Sequence, residues 1–238
     1  IYFFKKTIKN ALIIMRIELL GLSGIGKTEI VKNCLVKDYM NSKGNIDLVK
    51  LPKPRFLLII IEALILALKV SFVSIKSAKY LLTSKAGLKL LLSLGARKNS
   101  IDKFSTLNDT LLVDSGLLMP FVESVMVDDL LWSEGLLTSI FSVLPMPNAV
   151  FYIYTNEELA YDRFLNRTHT RYSFSGMMDN VQINRSKYSN ANSCLTFIVK
   201  SLEESSIKII NYNNKNKIDC NIVRSKILNL TNLRVNSE

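Results

Sequence analysis

Arg16-Ile-Glu-Leu-Leu20 runs directly into Gly21-Leu-Ser-Gly-Ile-Gly-Lys-Thr28, and the residues that follow, as far as Lys37, include neither Gly nor Pro. A short apolar stretch that stops at a glycine reads as a strand, and the helix-compatible residues beyond the glycines read as a helix. The junction matches the pattern G-x-x-x-x-G-K-[ST] in the strand-to-helix setting that gives the pattern its mechanism. Glycines let the backbone turn successive N–H groups inward, and the helix N-terminus adds positive partial charge, so the loop suits a phosphate. In this reading Gly21, Ser23, Gly24, Ile25 and Gly26 line the loop. Lys27 reaches the β- and γ-phosphates of ATP or GTP, and Thr28 offers its hydroxyl to Mg2+. A turn that only caps a helix would need neither Lys27 nor Thr28.

Outward from the loop, the next landmark is Thr110-Leu-Leu-Val113, a compact apolar strand that delivers Asp114 at its end. An aspartate so placed holds Mg2+ directly or through water, although Asp114-Ser-Gly116 is also good turn chemistry. Asp128, Asp129 and Glu134 are rivals as base or metal ligand. Ala149-Val-Phe-Tyr-Ile-Tyr154 is a continuous apolar and aromatic run, as expected of a central strand buried on both faces. Thr155-Asn-Glu-Glu158 fits a capping box, which predicts a helix running to about Arg167 or beyond. Arg163, Arg167 and Arg171 recur at intervals of four on roughly one helix face. Positioned guanidinium groups there could clamp a transferring phosphoryl group, or the face could simply be solvated.

The rest of the chain reads more plainly. A second strand is placed near Asp47–Leu51, after the turn-prone Asn41–Asn45 and closed by Pro52 and Pro54. Phe56–Ile75 is the most apolar window and approaches the length of a bilayer span. Glu62 and Lys69 argue for a buried or substrate-capping helix instead. The helical pattern continues to Leu94 with Gly95 as its C-cap, followed by a polar stretch, Arg97–Asn108. A helix over Leu130–Leu144, a strand over Ile207–Asn211, a loop over Asn211–Lys217 and a helix over Asp219–Leu230 complete the reading.

Composition narrows the class. A chain of 238 residues that is 48% hydrophobic can build one α/β core and is too short for two ordinary domains with linkers. The net charge of +11 favours polyanionic company. The lysines are dispersed from Lys5 to Lys226, so nucleic acid is the minority reading and membrane association is not favoured. Cys34, Cys194 and Cys220 are odd in number and without metal-ligand spacing, which predicts free thiols and a cytoplasmic protein. His169 is the only histidine, so a histidine-rich metal site is excluded. Residues 1–14 precede Met15 and read as an N-terminal extension, either upstream sequence or a loose tail. Their apolar run Ala11–Ile14 is too brief for an export signal.

Three elements occur in order: the glycine loop, Asp114-Ser-Gly-Leu-Leu118, and Leu144-Pro-Met-Pro-Asn-Ala-Val-Phe-Tyr152 leading into the arginine helix. Together they resemble a nucleotide kinase of the thymidylate-kinase-like branch of P-loop proteins, over most of residues 15–215. The resemblance implies an α/β three-layer sandwich, with a mostly parallel five-stranded sheet flanked by helices. It implies one domain over 15–238, with helical acceptor and lid insertions near 55–95 and 156–180. It also implies Mg2+-ATP as donor, a small-molecule acceptor, and Lys27, Asp114, Arg163 and Arg167 as the catalytic set. The family's Asp-Arg-Tyr type segment is here Asp114-Ser115-Gly116, nearer to a related Asp-x-Gly group of kinase-like proteins. The expected function is a kinase acting on a nucleotide, nucleoside or sugar-like acceptor. The alternative is a nucleotide-dependent switch or ATPase module working through a protein or membrane partner.

Overall fold

The computed structural model describes residues 15–34, 46–49, 56–104, 110–114, 116–166, 183–215 and 218–231. The expectations for residues 1–14, the turn at 41–45, Pro52, Pro54, His169, Arg167 and Arg171 lie outside the described residues.

Five strands form one wholly parallel sheet: β1 (Met15–Leu20), β2 (Ile46–Val49), β3 (Thr110–Asp114), β4 (Ala149–Tyr154) and β5 (Lys208–Asn213), in the order β2-β3-β1-β4-β5. Parallel neighbours require crossovers, and the connections here carry helices that cover the sheet. These are α1 (Lys27–Cys34), α2 (Phe56–Val73), α3 (Ile75–Thr83), α4 (Lys85–Phe104), α5 (Met119–Val127), α6 (Glu134–Phe141), α7 (Glu157–Leu165), α8 (Arg185–Glu204) and α9 (Cys220–Thr231). With both faces covered, the central strands have little use for alternation. Ile17, Leu19 and Leu20 of β1 are wholly buried, as are Leu111, Leu112 and Val113 of β3. The expected three-layer fold is therefore present.

Several local expectations are corrected. Gly95 does not end a helix; it lies inside α4, which runs on to Phe104 and so takes in the first part of the stretch read as polar. A Cβ on Gly95 would stand 2.8 Å from the Ile59 carbonyl oxygen and 2.9 Å from the Ala63 nitrogen, so this glycine lets the α2 and α4 backbones approach closely. The α7 N-cap is Asn156 rather than Thr155, its side chain accepting from the Glu158 N–H at 2.8 Å. Thr155 Oγ1 is buried without a hydrogen-bond partner among the described residues. The apolar window is only half a core element. Ala63, Leu66, Ala67 and Val70 of α2 are buried, while much of its opposite face is exposed.

Two of the three cysteines are not free thiols. The end of α1 meets the start of α9, so Cys34 and Cys220, 186 positions apart, are joined by a disulfide. Spacing carries no hint of such a meeting. Cys194 in α8 is a free thiol, and burial pushes its pKa up to about 12.

Candidate functional site

Strand order reverses at β1, which has β3 on one side and β4 on the other, each reached by a crossover. In open parallel sheets the crevice beyond the strand ends at such a switch point is where ligands sit. The glycine loop leaves β1 at this point. Gly24 and Gly26 have φ of +96° and +90°, in a region that L side chains rarely occupy. Space enforces the same choice: a Cβ on Gly24 would collide with the Ala160 carbonyl oxygen of α7, and one on Gly26 would lie 2.7 Å from Asn214 Nδ2. The loop is thus shaped by its neighbours as well as by its own sequence.

Three side chains hold it. Lys27 folds back along the loop, its ammonium donating to the Gly21 carbonyl and, at 3.0 Å, to that of Leu22. Tyr188 of α8, fully buried, donates its hydroxyl to the Ser23 carbonyl at 2.5 Å. Its ring sits in a cluster with Tyr161 and Phe164 of α7, which couples two helices to the loop. Asn214, just past β5, donates Nδ2 to the Ile25 carbonyl at 2.6 Å and its backbone N–H to the Tyr154 carbonyl at 2.8 Å. Asn214 is buried, and its Oδ1 has no hydrogen-bond partner among the described residues. Thr28 lies in the first turn of α1 with its side chain exposed.

Asp114 ends β3 in register with Leu19 of β1, two residues before the loop begins. The chain beyond it is braced by a charge network that sequence reading did not identify. Glu18, almost wholly buried in β1, pairs with Arg16 at 3.3 Å in a geometry that is not a hydrogen bond, and it accepts the Leu118 N–H at 3.2 Å. Its carboxylate occupies the space into which a Cβ on Gly116 would project. Arg97 of α4 donates to the Gly116 carbonyl at 3.2 Å and pairs with Glu123 at 2.7 Å. The glycine of Asp114-Ser115-Gly116 is therefore dictated by the buried carboxylate beneath it. A charge at position 18 in an otherwise apolar strand, two residues from Arg16, was the available signal.

The remaining candidates are dispersed. Arg163 of α7 donates to the carbonyls of Asn214 and Lys215 at 3.1 and 3.3 Å, which ties α7 to the loop after β5. Asp128 pairs with Lys89 at 2.5 Å and Asp129 with Lys187 at 2.6 Å, while Glu134 opens α6. Tyr188 carried no sequence signal at all, being one tyrosine in a helix that the sequence reading passed over. Asn214 belonged to a run of asparagines that also makes an ordinary turn.

A parallel sheet ordered 2-3-1-4-5, with a glycine-lysine loop at its switch strand, is a fold this chain shares with solved nucleotide and nucleoside kinases. Known structures agree. Deoxyadenosine kinase from M. mycoides with bound dATP superposes with a TM-score of 0.53 at 15% identity, over 90% of this chain and 98% of that one. The same kinase with dCMP and dCDP bound gives a TM-score of 0.51 at 16% identity, over 94% of this chain and 100% of that one. Thymidylate kinase from Candida albicans gives 0.53 at 13% identity, over 94% of each chain. At such identities the likeness is one of fold. No protein-family model matches the chain, and no curated protein is similar to it in sequence.

Proposed function

We propose that the protein is an ATP-dependent kinase that transfers the γ-phosphoryl group to a nucleoside or nucleotide. The observation that carries this reading is the glycine loop at the switch strand, with Lys27 and Thr28 at the start of α1 and Asp114 closing the neighbouring strand. Two positive-φ glycines, crowded so that no side chain can replace them, support a turn whose peptide N–H groups suit phosphate oxygens. The fold shared with deoxyadenosine and thymidylate kinases supports a nucleoside-type acceptor.

The roles follow from charge. Lys27 leaves the Gly21 and Leu22 carbonyls for the β- and γ-phosphates, a stronger partner because both groups are ionised. The Thr28 hydroxyl and Asp114 carboxylate are hard oxygen donors of the kind Mg2+ takes. Among the described residues there is no cluster of three or more acidic, His or Cys ligands, which suits an ion that keeps water and phosphate oxygens as its other ligands. An Mg2+ ion held by these two oxygens would supply charge neutralisation for the phosphate groups. An acceptor oxygen attacks the γ-phosphorus, the bond to the β–γ bridging oxygen breaks, and ADP leaves. A phosphate acceptor needs no general base, whereas a hydroxyl acceptor must lose its proton. Arg167 is the reading's phosphate clamp, with Arg163 joining it only by giving up the Asn214 and Lys215 carbonyls.

The test is ADP release from Mg2+-ATP in the presence of a panel of nucleosides and nucleoside monophosphates. At least a tenfold stimulation by one of them, with that compound recovered in phosphorylated form, is expected. ADP release that no acceptor alters would overturn the kinase reading in favour of an ATPase or switch.

A further inference from the structure

Glu18 is a charge in a place where the sheet needs none. Its neighbours Ile17 and Leu19 are wholly buried, as are Leu112 and Val113 on the adjoining strand, and Glu18 itself is only 1% exposed. A buried ion pair adds little to stability, and an apolar residue of similar volume would serve the strand at least as well. The reason for the charge lies in what the carboxylate touches.

We propose that Glu18 is a positioning residue for the nucleotide site: it fixes the course of the chain from Asp114 to Leu118, and through it the placing of the Asp114 carboxylate as an Mg2+ ligand. The first argument is anchoring. Asp114 is held by its pairing with Leu19, and at the other end of the segment the Leu118 N–H donates to Glu18 Oε2 at 3.2 Å. Leu118 is the N-cap of α5 and has no side-chain cap of its own. A carboxylate reaching over from β1 supplies the acceptor, at a helix N-terminus that favours negative charge. The second argument is space. Gly116, midway along the segment, is not among the positive-φ glycines, so its backbone alone would accept a side chain. The Glu18 carboxylate fills the position of that Cβ, and so demands the glycine. Arg97 of α4 holds the same midpoint through the Gly116 carbonyl at 3.2 Å. The third argument is that the carboxylate is committed to this task. Oε1 meets Arg16 at 3.3 Å without a hydrogen bond, so the hydrogen bond Glu18 makes among the described residues is the one to Leu118.

This role rests on the proposed nucleotide site and is tested by binding, without turnover. ATP is titrated calorimetrically, with Mg2+ and with EDTA, into the native chain, Asp114→Asn, Glu18→Gln and Gly116→Ala. Glu18→Gln keeps the shape of the side chain and an acceptor oxygen but removes the charge. Gly116→Ala leaves Glu18 in place and pushes a methyl group onto its carboxylate, which displaces the same segment. The native chain is expected to bind ATP more tightly with Mg2+, and Asp114→Asn to lose that gain. In Glu18→Gln and Gly116→Ala the gain should fall about tenfold or vanish, the cost of disturbing a group behind a metal ligand. Affinity for ATP in EDTA and the fitted stoichiometry should stay native in both. A fall in stoichiometry, or in affinity with and without Mg2+ alike, marks a purely structural role and overturns the proposal. So does a full Mg2+ gain in the two variants when Asp114→Asn has lost it, a result that leaves the kinase reading standing. Equal ATP affinity with and without Mg2+ in the native chain overturns the metal assignment of Asp114 and this role with it.

Discussion

Gly24 and Asn214 show how a few atoms set the loop. Alanine at position 24 has to adopt a φ of +96° and push against the Ala160 backbone, which belongs to a packed helix and cannot swing aside. Gly24→Ala is therefore expected to lower stability by about 1–3 kcal/mol, the range for overpacking. It should also abolish ATP binding; urea titration and calorimetry check the two halves. Asn214→Ala leaves the Ile25 carbonyl without the donor that meets it at 2.6 Å. A buried group so orphaned costs roughly 1–3 kcal/mol. Because that carbonyl sits in the phosphate loop, ATP affinity should fall while the KM for the acceptor stays within about twofold, in steady-state kinetics; equal changes in both would count against a loop-specific role. At this scale the loop was legible because its residue types are tied to one backbone path. The contributions of Asn214, Tyr188 and Glu18 were not, since each acts on a partner 100 or more positions away.

The strands were the most legible elements. β4 falls where the apolar run predicts it, and β1, β3 and β5 differ by one or two residues at their ends. Helix boundaries were harder because their signals have two meanings. Gly95 has the residue type of a C-cap and the location of a helix contact, and only the proximity of α2 decides between them. That contact has an electrostatic counterpart three residues on. Lys98 bridges Glu62 of α2 at 3.1 Å and Asp102 of its own helix at 2.7 Å. Burial is the largest single influence on Lys98 and lowers its pKa, but the hydrogen bonds and charges of Asp102 and Glu62 together outweigh it and leave the pKa raised. A raised lysine contributes stability in full below its unfolded value of 10.5 and loses it as pH climbs through the folded value. Lys98→Met should thus cost about 1 kcal/mol at pH 8, the upper range for a solvent-screened pair. The gap to the native protein should narrow above pH 10.5 in urea titrations. A gap unchanged with pH would mean that packing of the lysine stem, not its charge, holds α2 to α4.

For the whole molecule, the sheet order 2-3-1-4-5 converts local features into a site. It places Asp114 beside the strand that feeds the glycine loop, although Gly21 and Asp114 are 93 positions apart in sequence. The fold class was legible from one motif and the apolar strands, because few architectures put a glycine-lysine loop between a buried strand and a helix. The disulfide between α1 and α9 and the uncovered face of α2 were not legible. Both depend on which surfaces meet in space, and composition gives no account of that. The net charge of +11 accords with a phosphate-rich ligand without selecting one. The measurement that bears most directly on the account is calorimetric titration of Mg2+-ATP into the native chain and into Lys27→Ala. Loss of one ammonium from a phosphate contact, worth about 1.5–3 kcal/mol, should weaken binding roughly 10- to 100-fold while leaving the fold intact. ATP that binds both proteins equally, or neither, would contradict the assignment of Gly21–Thr28 as the nucleotide site.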